Sequence, residues 1–222
     1  MKANPLIDLL FPPRCAFCGR VGVHGICKRC DQSLPWLTNS LRVGAGFGSC
    51  AAPLPYEGAV REALLRFKFR GGQDAAEGLG LLTARCAAEH FAGDFELVTW
   101  VPVSEQRKKQ RGYDQAYLIA REAARLWDAE PLPLLKKIRD NPAQSGLSAE
   151  QRKANVLGVY EARNRERFAG KRVLIIDDII TTGATLSECA RVLRDAGAER
   201  VLCVCAASAG VEYHKNEPVS KP

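Results

Sequence analysis

The segment VLIIDDIITTGAT, residues 173–185, constrains the chain more than any other stretch. Val173 to Ile176 is an apolar run too short for a helix and suited to a short buried strand. Residues 177–182 read as a polar loop, and Leu186, Cys189, Ala190 and Leu193 then recur on one face of a helix. Gly197 stops that helix and Val201 to Cys205 supplies a further strand. A strand, helix and strand in this space call for parallel strands joined by a right-handed crossover. The main domain is therefore α/β, with ligands expected at the carboxyl ends of its strands.

The loop chemistry points to the ligand. Backbone N–H groups at a helix start are unpaired and carry partial positive charge, so Thr181, Thr182, Gly183, Ala184 and Thr185 form a grip for a phosphate. Asp177 and Asp178 cannot face that phosphate, because like charges repel; they suit neutral hydroxyls, whose protons a carboxylate accepts. A ribose 5-phosphate satisfies both halves. The competing reading is a strand end with two solvated aspartates and a capped helix; the order, the spacing and the glycine favour the ligand site.

A second segment supplies cations. Leu97 to Val103 is a β-rich run, and Ala116, Ile119, Ala120, Ala123 and Trp127 repeat at helical spacing beyond it. Between them lie Arg107, Lys108, Lys109 and Arg111, expected as a mobile positive flap. Cations there favour a transition state in which a leaving pyrophosphate gains charge, which makes these four the candidate catalytic residues. Ala63, Leu64 and Phe67, then Leu79, Leu82 and Cys86, mark two more helices. On the first, Lys68 either reaches the anion or snorkels along apolar surface. Ser148 with Gln151 forms a capping box, while Gln144 and Arg152 are weaker site candidates whose alternative is a cap or surface contact.

These blocks resemble a known family. Residues 173–185 are similar to the phosphoribosyl pyrophosphate signature of type I phosphoribosyltransferases. RKKQRGYDQ at 107–115 resembles the RxxRGFNQ motif of the ComF family of competence-associated, phosphoribosyltransferase-like proteins, and residues 141–162 and FKFRGG at 67–72 resemble two further blocks. The resemblance spans essentially the whole chain. It implies a parallel sheet flanked by helices, with Asp177 and Asp178 on the ribose 2′ and 3′ hydroxyls and residues 181–185 around the 5-phosphate. Phosphoribosyl pyrophosphate with Mg²⁺ is the implied ligand, and natural transformation the implied setting. Transfer to an acceptor stays open beside a binding role toward single-stranded DNA or competence partners, for which Phe17 and Trp36 are aromatic candidates whose alternative is packing.

The N-terminal part reads differently. Cys15, Cys18, Cys27 and Cys30 form two CxxC pairs separated by eight residues, a spacing that suits one tetrahedral, closed and structural Zn²⁺. His24 is expected at the surface, and Cys50, the one further cysteine nearby, leaves no second site. Cys86, Cys189, Cys203 and Cys205, like Cys50, read as buried thiols. The expected organisation is a zinc knuckle over residues 1–48, a phosphoribosyltransferase-like domain over 49–212 joined through 44–55, and a frayed tail over 213–222. Leu6 to Phe11 is too short to span a bilayer and lacks a signal-peptide pattern, so no membrane association and a cytoplasmic location are expected. The net charge of +7 is compatible with phosphate-rich ligands and with nucleic acid alike.

Overall fold

The computed structural model describes residues 12–69, 72–140 and 155–210. Leu6 to Phe11, Arg70, Gly71, Gln144, the Ser148–Gln151 capping box, Arg152 and the tail lie outside the described residues. Two strands, β7 (Arg172–Ile180) and β8 (Arg200–Ser208), pair in parallel at the centre of the main sheet. Within β7, Leu174 and Ile176 join one apolar cluster, and Val173 and Ile175 the other. Leu202 and Val204 of β8 divide from Val201 and Cys203 in the same way. A sheet covered on both faces needs apolar side chains at consecutive positions, which is why both segments read as unbroken hydrophobic runs.

The sheet is completed by β1 (Leu41–Gly44), β2 (Gly48–Ala51), β3 (Leu54–Pro55) and β4 (Leu97–Trp100) in the order β1-β2-β8-β7-β4, with β3 also on β8. Only the β1–β2 pair is antiparallel. The segment 44–55 thus supplies paired strands as well as connections. Helices α1 (Lys28–Ser33), α2 (Gly58–Phe69), α3 (Ala75–Phe91), α4 (Glu105–Arg111), α5 (Gln115–Arg125) and α6 (Ala184–Asp195) complete the described chain, with a short 3₁₀ turn at Arg165–Arg167. A separate antiparallel pair, β5 (Leu135–Lys137) and β6 (Tyr160–Ala162), packs with α6.

Two elements differ from the sequence expectation. The β7 strand runs to Ile180, because Ile179 and Ile180 still pair with Ala207 and Ser208 of β8; the aspartates lie inside the strand, and the loop shrinks to residues 181–183. Residues 105–111 are helical, not a loop. Ser104 caps the helix by accepting from Arg107 N at 3.3 Å, and Gly112, at φ +82°, closes it by donating to the Lys108 carbonyl. Cys50, Cys86, Cys189, Cys203 and Cys205 are all buried, as expected.

The cysteine module is fused to the main core. Cys15, Ala16, Phe17, Cys27 and Cys30 belong to the same apolar cluster as α2 and α3, and Arg66 of α2 donates to the Phe17 carbonyl at 2.5 Å and the Ala16 carbonyl at 3.3 Å. Phe17 is therefore a core residue. Trp36 remains partly exposed, with the Arg85 guanidinium 5.5 Å from its ring centroid. Among the described residues, no helix is long and apolar enough to cross a membrane.

Candidate functional site

The register sets the site. Trp100, the last residue of β4, pairs with Ile176, so β7, still paired with β8, carries Asp177 and Asp178 beyond the end of β4. A cleft of about 860 Å³ opens there. Its lining joins Asp177, Asp178, Thr181 and Thr185 to Lys68, Arg107 and Arg111. Two segments picked out separately in the sequence thus share one cavity. A smaller pocket is lined by Asp177 and the whole run from Ile179 to Leu186, the expected phosphate grip.

Gly183 is the N-cap of α6 with φ +78°, a left-handed conformation that glycine adopts without cost. A Cβ at this position would also collide with the ring of Phe47, itself buried. Glycine is thus required twice over at the turn that presents the α6 N-terminus to the pocket. The turn is braced from below: Arg42 donates to the Thr181 carbonyl at 2.9 Å and to Ser208 Oγ at 3.1 Å.

The two aspartates have different surroundings, because successive strand residues point to opposite faces. Asp178 meets α2, where Lys68 Nζ lies 2.8 Å from its Oδ2. Burial alone lowers the Lys68 pKa, but the Asp178 carboxylate more than compensates through charge and hydrogen bonding, and the net shift is upward. Asp177 lies on the Lys137 and Tyr160 side; burial, then the neighbouring Asp178 charge, holds its pKa well above the usual carboxylate range. Lys68 is thus ion-paired within the cleft.

Helical geometry sorts the four cations. Arg107 and Arg111, one turn apart on α4, face the cleft, whereas Lys108 and Lys109 are exposed on the remaining surface and do not line it. The cleft side of α4 is anchored by Asp114, whose carboxylate accepts from Tyr117 N, Val103 N and Trp100 Nε1 at 3.1–3.2 Å, tying the end of β4 to the start of α5.

Sequence reasoning missed two further lining residues. Lys137 of β5, only 8% exposed, has its pKa pulled down to about 8 by burial and then by the Arg107 charge. Gln115 is 2% exposed and accepts from Arg111 Nη1 at 2.9 Å; its Nε2 finds no acceptor among the described residues. An arginine only donates, so the oxygen of the Gln115 amide must face it. Gln115 ends the RKKQRGYDQ block, a signal that was available; Lys137 carries none, since a lysine in a three-residue strand looks like surface.

The four cysteine sulfurs lie within 4.8 Å of one another, with Cys18 Sγ and Cys27 Sγ 3.7 Å apart. A tetrahedron with Zn–S distances of roughly 2.3 Å has sulfur–sulfur edges of roughly 3.8 Å, so the cluster fits a structural Zn²⁺ with every position taken by thiolate. His24 stands outside it, 3.3 Å from Glu77 at the surface.

The family model of the phosphoribosyl transferase domain matches residues 109–220. The chain belongs to this family. A double zinc ribbon domain model matches residues 6–60, although among the described residues only one four-cysteine cluster is present and Cys50 is buried in β2. The chain is 35% identical over 108 residues to competence protein F of Haemophilus influenzae, covering 48% of this chain and 47% of that protein, about half its length. It is 27% identical to competence protein ComFC of Bacillus subtilis, over 82% of this chain and 72% of that protein. With the DNA utilization protein YhgH of Escherichia coli it shares 29% identity over 86% of this chain and 83% of that protein. The ComF resemblance seen in the motifs therefore holds along most of the chain.

Proposed function

We propose that this phosphoribosyltransferase domain binds phosphoribosyl pyrophosphate as its Mg²⁺ complex and activates it for transfer of the phosphoribosyl group. The observation that carries the reading is a single cleft lined at once by the acidic pair, by Thr181 and Thr185 of the turn and by two arginines of α4, next to the smaller pocket of Gly183, which shares Asp177, Thr181 and Thr185 with it. The 5-phosphate rests on the amides of residues 183–185, where the α6 N-terminus favours negative charge. Asp177 and Asp178 accept from the ribose hydroxyls. Arg107 and Arg111 face the diphosphate at C1 and stabilise the charge it gains as its bond to the sugar breaks.

Mg²⁺ supplies further neutralisation of that diphosphate. Among the described residues the cysteine cluster is the sole grouping of metal-ligating side chains, and Asp178 is already paired with Lys68. This suits Mg²⁺ that would arrive on the phosphates of its ligand. The names of the relatives, competence and DNA utilization, set the biological context in which we place this activity.

Calorimetric titration with phosphoribosyl pyrophosphate tests the proposal. Saturable binding that strengthens when Mg²⁺ is present is the expected outcome. Single-stranded DNA bound tightly, with a steep salt dependence and no competition from the sugar diphosphate, would instead favour a DNA-binding module.

A further inference from the structure

We propose that Lys68 is a positioning residue for sugar recognition: as the fixed counter-ion of Asp178, it balances the charge of that carboxylate and holds it as an acceptor for a sugar hydroxyl. The inference rests on the sugar-phosphate reading above and assigns a role to a side chain outside both the acidic segment and the basic helix.

The geometry is specific. Asp177 and Asp178 are adjacent in a strand packed on both faces, and two carboxylates in such a place cannot both ionise without a compensating charge. A carboxylate that shares a proton is a weaker acceptor than an ionised one. Lys68 Nζ, 2.8 Å from Asp178 Oδ2, supplies the compensation, and only 21% of the Lys68 side chain and 12% of the Asp178 side chain is exposed. Water therefore does little of the neutralisation.

Other charged and titratable groups face the pair. On the Asp178 side stand Tyr56, beyond β3, and Arg111 of α4, which is hydrogen-bonded to Gln115. On the Asp177 side are Lys137 of β5, Tyr160 of β6, Cys189 of α6 and Cys205 of β8. Asp114 adds a further negative charge near Asp177. Lys68 Nζ is in direct contact with Asp178. Its placement is mechanical: Lys68 lies in the last turn of α2, and Arg66, two residues earlier, clamps that helix to the cysteine module.

Lys68→Met tests the role through two readouts. The first needs no ligand: in a carboxyl-carbon NMR titration, the Asp178 midpoint should move up in Lys68→Met into the same pH 6.5–9.5 window in which affinities are compared, and a midpoint that stays below that window overturns the inference. The second is the ratio of ribose 5-phosphate dissociation constants, variant over wild type, from pH 6.5 to 9.5; the ligand's own titration cancels in this ratio. The ratio should exceed tenfold at the acid end and fall toward a small constant as pH rises, and Lys68→Met combined with Asp178→Asn should abolish that slope. A flat ratio in the single variant means that Lys68 merely attracts the anion, and the inference fails. If the wild-type protein binds no ribose 5-phosphate, the sugar-phosphate reading falls and takes the positioning role with it, while the NMR titration still shows whether the charges are coupled.

Discussion

Asp177→Asn combined with Asp178→Asn will weaken binding of ribose 5-phosphate by about 100-fold or more while leaving inorganic phosphate binding within a few-fold of wild type. The first number follows from two lost hydrogen bonds, one to a charged acceptor at roughly 1.5–3 kcal/mol and one to a carboxyl whose ionisation burial disfavours at roughly 0.5–1.5 kcal/mol. The second follows from the division of the site: the phosphate rests on the turn at Gly183 and the start of α6, which neither substitution touches. Stability will change too, in opposing directions. Asparagine at 177 removes a carboxylate whose ionisation burial already disfavours, whereas asparagine at 178 leaves Lys68 without its 2.8 Å partner. Breaking such a pair on one side costs about 3–5 kcal/mol when it is fully buried, so a lowered melting temperature is expected. Affinities should be compared well below the melting transition. Unchanged ribose 5-phosphate binding in the double variant would contradict the assignment of the pair to sugar hydroxyls.

Removal of the structural metal is expected to lower the melting temperature by on the order of 10 °C, the result of losing a few kcal/mol in a chain of this size. The module cannot be lost quietly, because Cys15, Ala16, Phe17, Cys27 and Cys30 help to close the cluster that covers α2 and α3. Four thiolates without metal repel one another when ionised and expose that surface when they part. Ligand binding should weaken in parallel, since the clamp from Arg66 to the Phe17 carbonyl lies two residues from Lys68. Scanning calorimetry before and after chelation, with metal content measured alongside, decides the matter. A chelated, metal-free protein that melts with the untreated protein would show the module to be independent of its ion.

The parallel sheet and the acidic pair were legible because burial on both faces demands the continuous apolar runs of β7 and β8, which cannot be disguised. The length of β7 was not. Two aspartates look like the end of a strand, and only pairing of Ile179 and Ile180 with β8 carries it further. The basic helix was legible in its caps, Ser104 and Gly112, but hidden by a charge run that reads as a solvated loop. Once the helix is known, its period separates Arg107 and Arg111 from Lys108 and Lys109. The least legible contact was the one between Lys68 and Asp178, because their residues are far apart in the chain and nothing local to α2 reports its partner.

The central claim is that one end of β7 divides its work, with the turn after it holding an anion and the aspartates within it holding sugar alcohols. A crystal structure with ribose 5-phosphate tests this most directly. The phosphate is expected on the backbone amides of residues 183–185 and the sugar hydroxyls on the carboxylates of Asp177 and Asp178. Sugar-phosphate bound elsewhere, or lying reversed with its phosphate toward Arg107 and its hydroxyls at Gly183, would contradict it.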